Sequence, residues 1–155
     1  MSVYLSSTKI IKEWTDYNNH MNLSYYILVF DMGAEKILSK FQMGEQSAKL
    51  TKKSTMVVET RTTYNNEVKE GDEVDVHLSF VDHDKKRIHY KLEMYDKAKN
   101  QLSATTEVIS LYIDLNKRKV AEFETEKIEI MDNFIKENSS KFNSDNLVLS
   151  DKLKK

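Results

Sequence analysis

The chain is 155 residues long, 39% hydrophobic and 32% charged, with a formal net charge of −1; this is one domain's worth of sequence with enough apolar material for a core. The near-neutral balance offers no global field toward nucleic acid or anionic lipid, no apolar run approaches the ~20 residues of a membrane span, and the start Met1-Ser2-Val3-Tyr4-Leu5 lacks the basic-then-apolar plan of a signal peptide. Cysteine is absent, which excludes disulfides, thiolate metal sites and cysteine nucleophiles and makes a cytoplasmic protein the expectation.

Val3 to Trp14 is predicted as a first strand. Leu23 to Phe41 is predicted as a helix of about five turns, because Tyr26, Phe30, Ala34, Ile37 and Phe41 recur at spacings of three and four. Its opening, Tyr25-Tyr26-Ile27-Leu28-Val29-Phe30, is apolar nearly all round, which predicts burial on every side with a sheet wrapped around it. Gly44 follows, and Glu45 to Lys53 reads as a short helix or irregular connection. The period then changes. Met56 to Tyr64, Val74 to Phe80, Ile88 to Met94 and Leu102 to Leu115 alternate as strands, separated by the polar turns at Gly71-Asp72, Asp82 to Lys86 and Asp96 to Asn100. Ile128, Met131, Phe134 and Ile135 mark a closing amphipathic helix, with Thr125 as its expected N-cap. Strand, long helix, four strands in a meander and a terminal helix make an α+β domain with a mostly antiparallel sheet. Proline is absent and glycine scarce, so no linker is visible. One domain is expected over 1–138, with a polar, partly frayed tail over 139–155.

The chemistry concentrates in Asp16-Tyr17-Asn18-Asn19-His20-Met21-Asn22, directly ahead of the long helix. The alternate spacing of Asp16, Asn18 and His20 lets an extended or turning segment direct all three to one side. An ionised carboxylate serves as general base or nucleophile, and an imidazole or amide donates to a developing oxyanion or orients the base. The helix N-terminus adds unpaired N–H groups and positive partial charge. The alternative is local: Asp16 and Asn18 making Asx-turns, Asn22 capping the helix, and His20 structural.

The pattern Asp16-x-Asn18-x-His20-Met21-Asn22-x-x-x-Tyr26 ahead of a long buried helix resembles the hotdog-fold acyl-CoA thioesterases. It is similar to the 4-hydroxybenzoyl-CoA thioesterase-like group, and to the plant acyl-ACP thioesterases in their D-x-N-x-H segment. Val58 to Asp72, ending Tyr64-Asn65-Asn66-Glu67-Val68-Lys69-Glu70-Gly71-Asp72, resembles the Y-x-x-E-x-x-x-G-D strand of those proteins. Within the family, Glu13-Trp14-Thr15-Asp16-Tyr17-Asn18-Asn19-His20-Met21-Asn22-Leu23-Ser24-Tyr25-Tyr26 is similar to the segment E-W-x-D-Y-N-G-H-M-N-x-x-Y-Y of the betainyl-CoA thioesterases of carnitine breakdown. The resemblance covers about residues 3 to 135.

The resemblance implies a hotdog fold, a curved antiparallel sheet wrapped around the long central helix. It implies hydrolysis of a small or short-chain acyl-CoA to free acid and coenzyme A, with no cofactor beyond the coenzyme A of the substrate. It further implies a homodimer joined edge to edge, pairing in some members into tetramers, with sites between protomers; Leu102–Leu115 is the expected interface strand. Asp16, Asn18 and His20 would be catalytic, with Glu67 a second carboxylate and Glu59 a further candidate. Asn22 and Tyr26 would meet the substrate. Two departures stand out: Trp14 occupies the position of the essential aspartate in many bacterial members, and Asn19 replaces the usual glycine, a change that asparagine tolerates at φ > 0. A dehydratase of acyl thioesters and a non-hydrolytic acyl-CoA-binding protein are the rival expectations.

Trp14, the only tryptophan, could join Tyr17, Tyr25 and Tyr26 in a cage for a quaternary ammonium, or fill the core as a strand-end aromatic. Lys52-Lys53 and Lys117-Arg118-Lys119 could meet coenzyme A phosphates or simply form a solvated face. His77, His83 and His89 show no metal spacing and are expected at the surface or an interface. No metal site is expected.

Overall fold

A computed structural model describes residues 2–155. Six antiparallel strands form one sheet: β1 (Val3–Lys9), β2 (Lys53–Tyr64), β3 (Glu73–His83), β4 (Arg87–Asp96), β5 (Gln101–Asp114) and the two-residue β6 (Lys119–Val120). Their order is β1-β3-β4-β5-β2, with β6 also on β5. β3, β4 and β5 form the expected meander, whereas β2 crosses over to lie outside β5. This corrects two expectations. The four long strands are not all in sequence order, and β5 is no open edge but is paired with β4 from Arg87↔Leu111 to Asp96↔Gln101 and with β2 from Lys53↔Asp114 to Tyr64↔Ala104. The edge strands are β1 and β2.

The alternation of the strands puts Val76, Leu78, Phe80, Tyr90, Leu92, Val108 and Tyr112 in the core. Helix α1 (Leu23–Lys40) lies over this face, burying Tyr26, Val29, Phe30, Ala34 and Ile37. Gly33 sets the closeness of that approach: a Cβ there would meet Val76 Cγ1 at 2.8 Å. The α+β hotdog architecture, a curved antiparallel sheet around a long central helix, is therefore the fold of this chain. Burial of α1 is one-sided, however. Leu23, Ile27, Leu28 and Met32 are exposed, because the sheet covers one flank of the helix and none of the described residues covers the other.

The first strand ends at Lys9 rather than Trp14. Ile10 turns away with paired bonds to the Gly71-Asp72 turn (Ile10 N–H to Asp72 O at 2.8 Å, Gly71 N–H to Ile10 O at 2.8 Å), and Lys12–Trp14 form a 3-10 turn. Gly71 sits at φ +85, a conformation cheap only for glycine. Helix α2 (Glu45–Thr51) fills the connection to β2.

Helix α3 (Thr125–Asn138) closes one end of the core with Met131 and Phe134. Glu124, not Thr125, holds its N-cap position, and its side chain makes no cap bond. Its carboxylate accepts instead from the Tyr112 hydroxyl at 2.9 Å and from Lys53 Nζ at 3.1 Å, and pairs with Lys127 at 2.8 Å. Burial alone would raise this carboxyl, but the bonds from Lys127, Lys53 and Tyr112 outweigh it and hold it at about 2.

The tail, expected to fray, lies across the outer face of the sheet. Phe142 packs on Phe134 with ring centroids 5.9 Å apart, and the Asn143 N–H donates to Ser79 Oγ at 2.8 Å. Val148 and Leu149 donate their N–H groups to Glu107, each at 2.8 Å, and the Lys154 N–H donates to Asp84. His77, His83 and His89, expected at the surface or an interface, are all buried, and His89 joins the tail through Glu107. His77 contacts the Ser2 carbonyl, His83 reaches Asp132 of α3, and His89 reaches Glu107.

Candidate active site

The segment from Thr15 to Met21 closes on itself as a small loop. Thr15 and Met21 form an isolated antiparallel bridge, the Asp16 N–H donates to the His20 carbonyl at 3.1 Å, and the Asn19 N–H donates to the Asp16 carbonyl at 2.9 Å. Asn19 turns the chain at φ 63, the left-handed conformation expected where the family pattern has glycine. The loop is pinned to the segment after β2 by the Met21 N–H, which donates to the Val68 carbonyl at 2.6 Å. That bond brings the Asp16 motif and the Glu67 motif together although they are far apart in sequence.

The result is one open cleft of ≈ 500 Å³ at the N-terminus of α1. Asp16, Asn18, His20, Asn22, Tyr26 and Glu67 all line it. The Asp16 carboxylate accepts from the Asn18 N–H at 2.8 Å and from Asn22 Nδ2 at 3.4 Å, so two amides hold it in place. His20 directs Nδ1 toward the Met21 carbonyl at 3.3 Å. A neutral ring that gives this proton presents an Nε2 lone pair, which accepts from water and donates only as imidazolium. Tyr26 donates its hydroxyl to the Asn66 carbonyl at 3.3 Å and meets Tyr64 edge to face. Burial pushes the Tyr26 phenol above its ordinary range, against a backbone bond at Val68, with the Glu67 charge adding to the rise. Glu67 is solvent-facing and pairs with Lys69 at 3.3 Å.

Both local roles foreseen for these residues are present beside the cleft geometry. Asp16 makes an Asx-turn with Asn18, and Asn22 caps α1 by accepting from the Ser24 N–H at 3.0 Å. The cap changes the expected anion site. Ser24 gives its N–H to the Asn22 side chain and Tyr25 to the Asn22 carbonyl. Leu23, which lines the cleft, carries the first-turn N–H that these bonds leave for a ligand.

Two expected substrate-binding residues lie elsewhere. Trp14 is not part of the cleft lining; its ring stacks on Tyr25 at 5.7 Å and 16° and packs against the core. Glu59 lies on the outer face of β2, where it meets Lys152 of the tail at 3.7 Å. A bulge between Val57 and Glu59 shifts the strand's pairing with β5 and moves every later residue to the opposite face from a regular count. Lys52-Lys53 and the turn at Lys117-Arg118-Lys119 sit at the other end of β2 from Tyr64, roughly 35 Å away along the strand, beyond reach of this chain's own cleft. Tyr64, Asn65 and Asn66 line the cleft without having been singled out, although the motif around Glu67 contains them. Among the described residues no cluster of three His, Cys, Asp or Glu is placed to hold a metal, and no helix is long and apolar enough to cross a membrane.

Comparison with known proteins adds an independent line. The thioesterase-like superfamily matches residues 11–135. A betainyl-CoA thioesterase of Pseudomonas aeruginosa is 30% identical over 119 residues, spanning 77% of this chain and 75% of that protein. The L-carnitine dehydrogenase/betainyl-CoA thioesterase of Rhizobium meliloti is 30% identical over 110 residues, or 71% of this chain and 22% of the relative. Among solved structures, a Staphylococcus aureus protein in complex with CoA is similar at TM-score 0.82 and 21% identity, covering 96% of this chain and 91% of the other.

Proposed function

The chain belongs to the thioesterase-like superfamily, and from that membership we propose that it hydrolyses a small acyl-CoA, of betainyl type, to the free acid and coenzyme A. The observation that carries the proposal is the single cleft gathering Asp16, Asn18, His20 and Glu67 at the N-terminus of α1. Asp16, held by Asn18 and Asn22, takes a proton from water as the oxygen attacks the thioester carbonyl carbon. The oxyanion that forms is met by the Leu23 N–H and the side-chain amide of Asn18. Collapse breaks the C–S bond, and the proton on Asp16 passes to the departing sulfur. His20 accepts through Nε2 from the attacking water.

Charge and aromatic surface support a cationic acyl group. The cleft lining has two carboxylates, Asp16 and Glu67, three phenol rings, Tyr17, Tyr26 and Tyr64, and no lysine or arginine. Rings and carboxylates together attract a quaternary ammonium. The test is thiol release from a panel of acyl-CoAs that pairs betainyl-CoA with its neutral isostere 3,3-dimethylbutanoyl-CoA. We expect kcat/KM at least tenfold higher for the cationic member. Equal rates would remove the cationic preference, and binding without release from any member would make this a non-hydrolytic acyl-CoA-binding protein.

A second copy of the chain completes the proposed assembly. Met56, Val57 and Val58 are half-exposed on the free edge strand β2, and an apolar groove of ≈ 450 Å³ runs from Ser24, Ile27 and Leu28 of α1 to Val57 and Thr60 of β2. An apolar free edge invites pairing, and the groove begins one residue beyond Leu23 of the cleft. The other edge strand, β1, carries Ser6, Ser7 and Thr8 at its centre, which makes β2 the apolar edge and the one proposed for the partner. Sedimentation is expected to show a dimer for the wild type and a monomer for Val57→Lys; a monomeric wild type would end the proposal.

A further inference from the structure

A second cavity, of ≈ 310 Å³, lies on the opposite side of the sheet, between β2, β4 and β5 and the tail. It plays no part in thioester hydrolysis as described above. Its floor is a row across three strands, Arg61, Glu107 and Lys91, set opposite one another by the strand register. Lys91 is 6% exposed. Its ammonium donates to the Asp145 carbonyl at 3.1 Å and pairs with no carboxylate among the described residues.

Three carboxylates share the lining, Glu93, Glu107 and Asp145, and the first two are bonded to other groups. Glu107 accepts from Val148, Leu149 and His89. Glu93 accepts from the Ser2 and Tyr95 hydroxyls, both at 3.1 Å. The Asp145 carbonyl is the one hydrogen-bond partner of the Lys91 ammonium among the described residues, and Arg61, itself exposed, lines the same cavity with its guanidinium in no ion pair among them. A buried charge without a partner is costly, and an oxyanion in the cavity would supply one.

We propose that this cavity binds a small molecule through a phosphate or carboxylate group held by Lys91 and Arg61. The site is separate from the thioesterase cleft, although Asn65 borders both. Calorimetric titration of the full-length protein with inorganic phosphate and with acetate, at constant ionic strength, tests it. Saturable binding of at least one anion is expected, weakened at least tenfold in Lys91→Met and in Arg61→Gln. Methionine keeps the lysine stem and removes the buried charge, so the variant is expected to fold. Thermal melts give a second reading: phosphate or acetate should raise the Tm of the wild type and leave that of Lys91→Met unchanged. Titration with CoA separates two sources of phosphate. A tenfold loss of CoA affinity in Lys91→Met assigns the group to coenzyme A, and unchanged CoA affinity with lost phosphate binding assigns it to a free anion. The proposal is overturned if neither anion nor CoA binds in a manner sensitive to these variants. It is equally overturned if Lys91→Met loses stability to the same extent with and without anion, which would make Lys91 only a tether for the tail.

Discussion

Asp16→Ala is expected to lower kcat by at least about a hundredfold, at the lower end of the 10²–10⁴ that a positioned general base contributes. Such a loss corresponds to at least ~2.7 kcal/mol of transition-state stabilisation. The carboxylate is well placed for the experiment, because its bonds are local: the Asn18 N–H at 2.8 Å and Asn22 Nδ2 at 3.4 Å. Losing them removes a turn contact worth about 1 kcal/mol without opening the core. Asp16→Asn sharpens the result. Its amide oxygen still accepts the Asn18 N–H, so the loop keeps its shape, but it takes no proton from water. Both variants should therefore melt near the wild type and share the loss of kcat, with KM changed much less. A kcat within about threefold of wild type for either, less than ~1 kcal/mol, would remove Asp16 from the chemistry and leave the water to the lone pair of His20.

The loop of the candidate site was legible because its parts are local. Asp16 to Asn22 is one short segment whose turn chemistry, left-handed Asn19 and helix cap follow from the side chains themselves. The core strands were legible for the same reason: Val74 to Phe80 and Ile88 to Met94 alternate strictly, and α1 carries apolar residues on a helical period. What escaped depends on long-range pairing. Nothing in Met56 to Tyr64 says that it leaves the meander and lies outside β5, since a strand's neighbour is chosen by the whole sheet. The bulge at Val57/Glu59 is equally invisible in the alternation, and Glu59, a candidate from the motif alone, lies on the outer face against Lys152. Trp14 shows a third limit. Its place next to Asp16 in sequence suggested a shared site, but the 3-10 turn of Lys12–Trp14 rotates the ring onto Tyr25. The outer face of the sheet was misjudged most. His89, expected at the surface or an interface, is buried together with Lys91, Glu93 and Glu107, and a tail with weak periodicity gave no sign that it would lie over them.

That covered stripe is the setting for the largest expected loss of stability. Glu107→Ala should destabilise the fold by about 3–5 kcal/mol, since it leaves three donors without their acceptor at about 1–3 kcal/mol each. At roughly 2–4 °C per kcal/mol for a chain of this size, the fall in Tm is about 10 °C. The carboxylate is 5% exposed and meets the His89 ring nitrogen Nε2 at 2.6 Å, with His89 itself fully buried. It also accepts the N–H groups of Val148 and Leu149, so its removal orphans three donors and frees the tail around Leu149. Limited proteolysis should then cut within 142–154 well before the rest of the chain. Glu107→Gln, which keeps a carbonyl acceptor, should recover part of the loss. The same contacts set a pH dependence. Burial would raise the Glu107 carboxyl, but the bonds from Val148, Leu149 and His89 outweigh it and hold the group below its ordinary value of 4.5. A carboxyl lowered on folding adds stability above its unfolded pKa, and that stability is lost as the pH falls through the folded value. Acid titration should therefore release the tail below about pH 4, and the Glu107→Ala protein should lose that acid-sensitive step. A variant that melts within about 1 kcal/mol of wild type and keeps its tail protected would show that the tail is held by Phe142 and Leu149 packing alone.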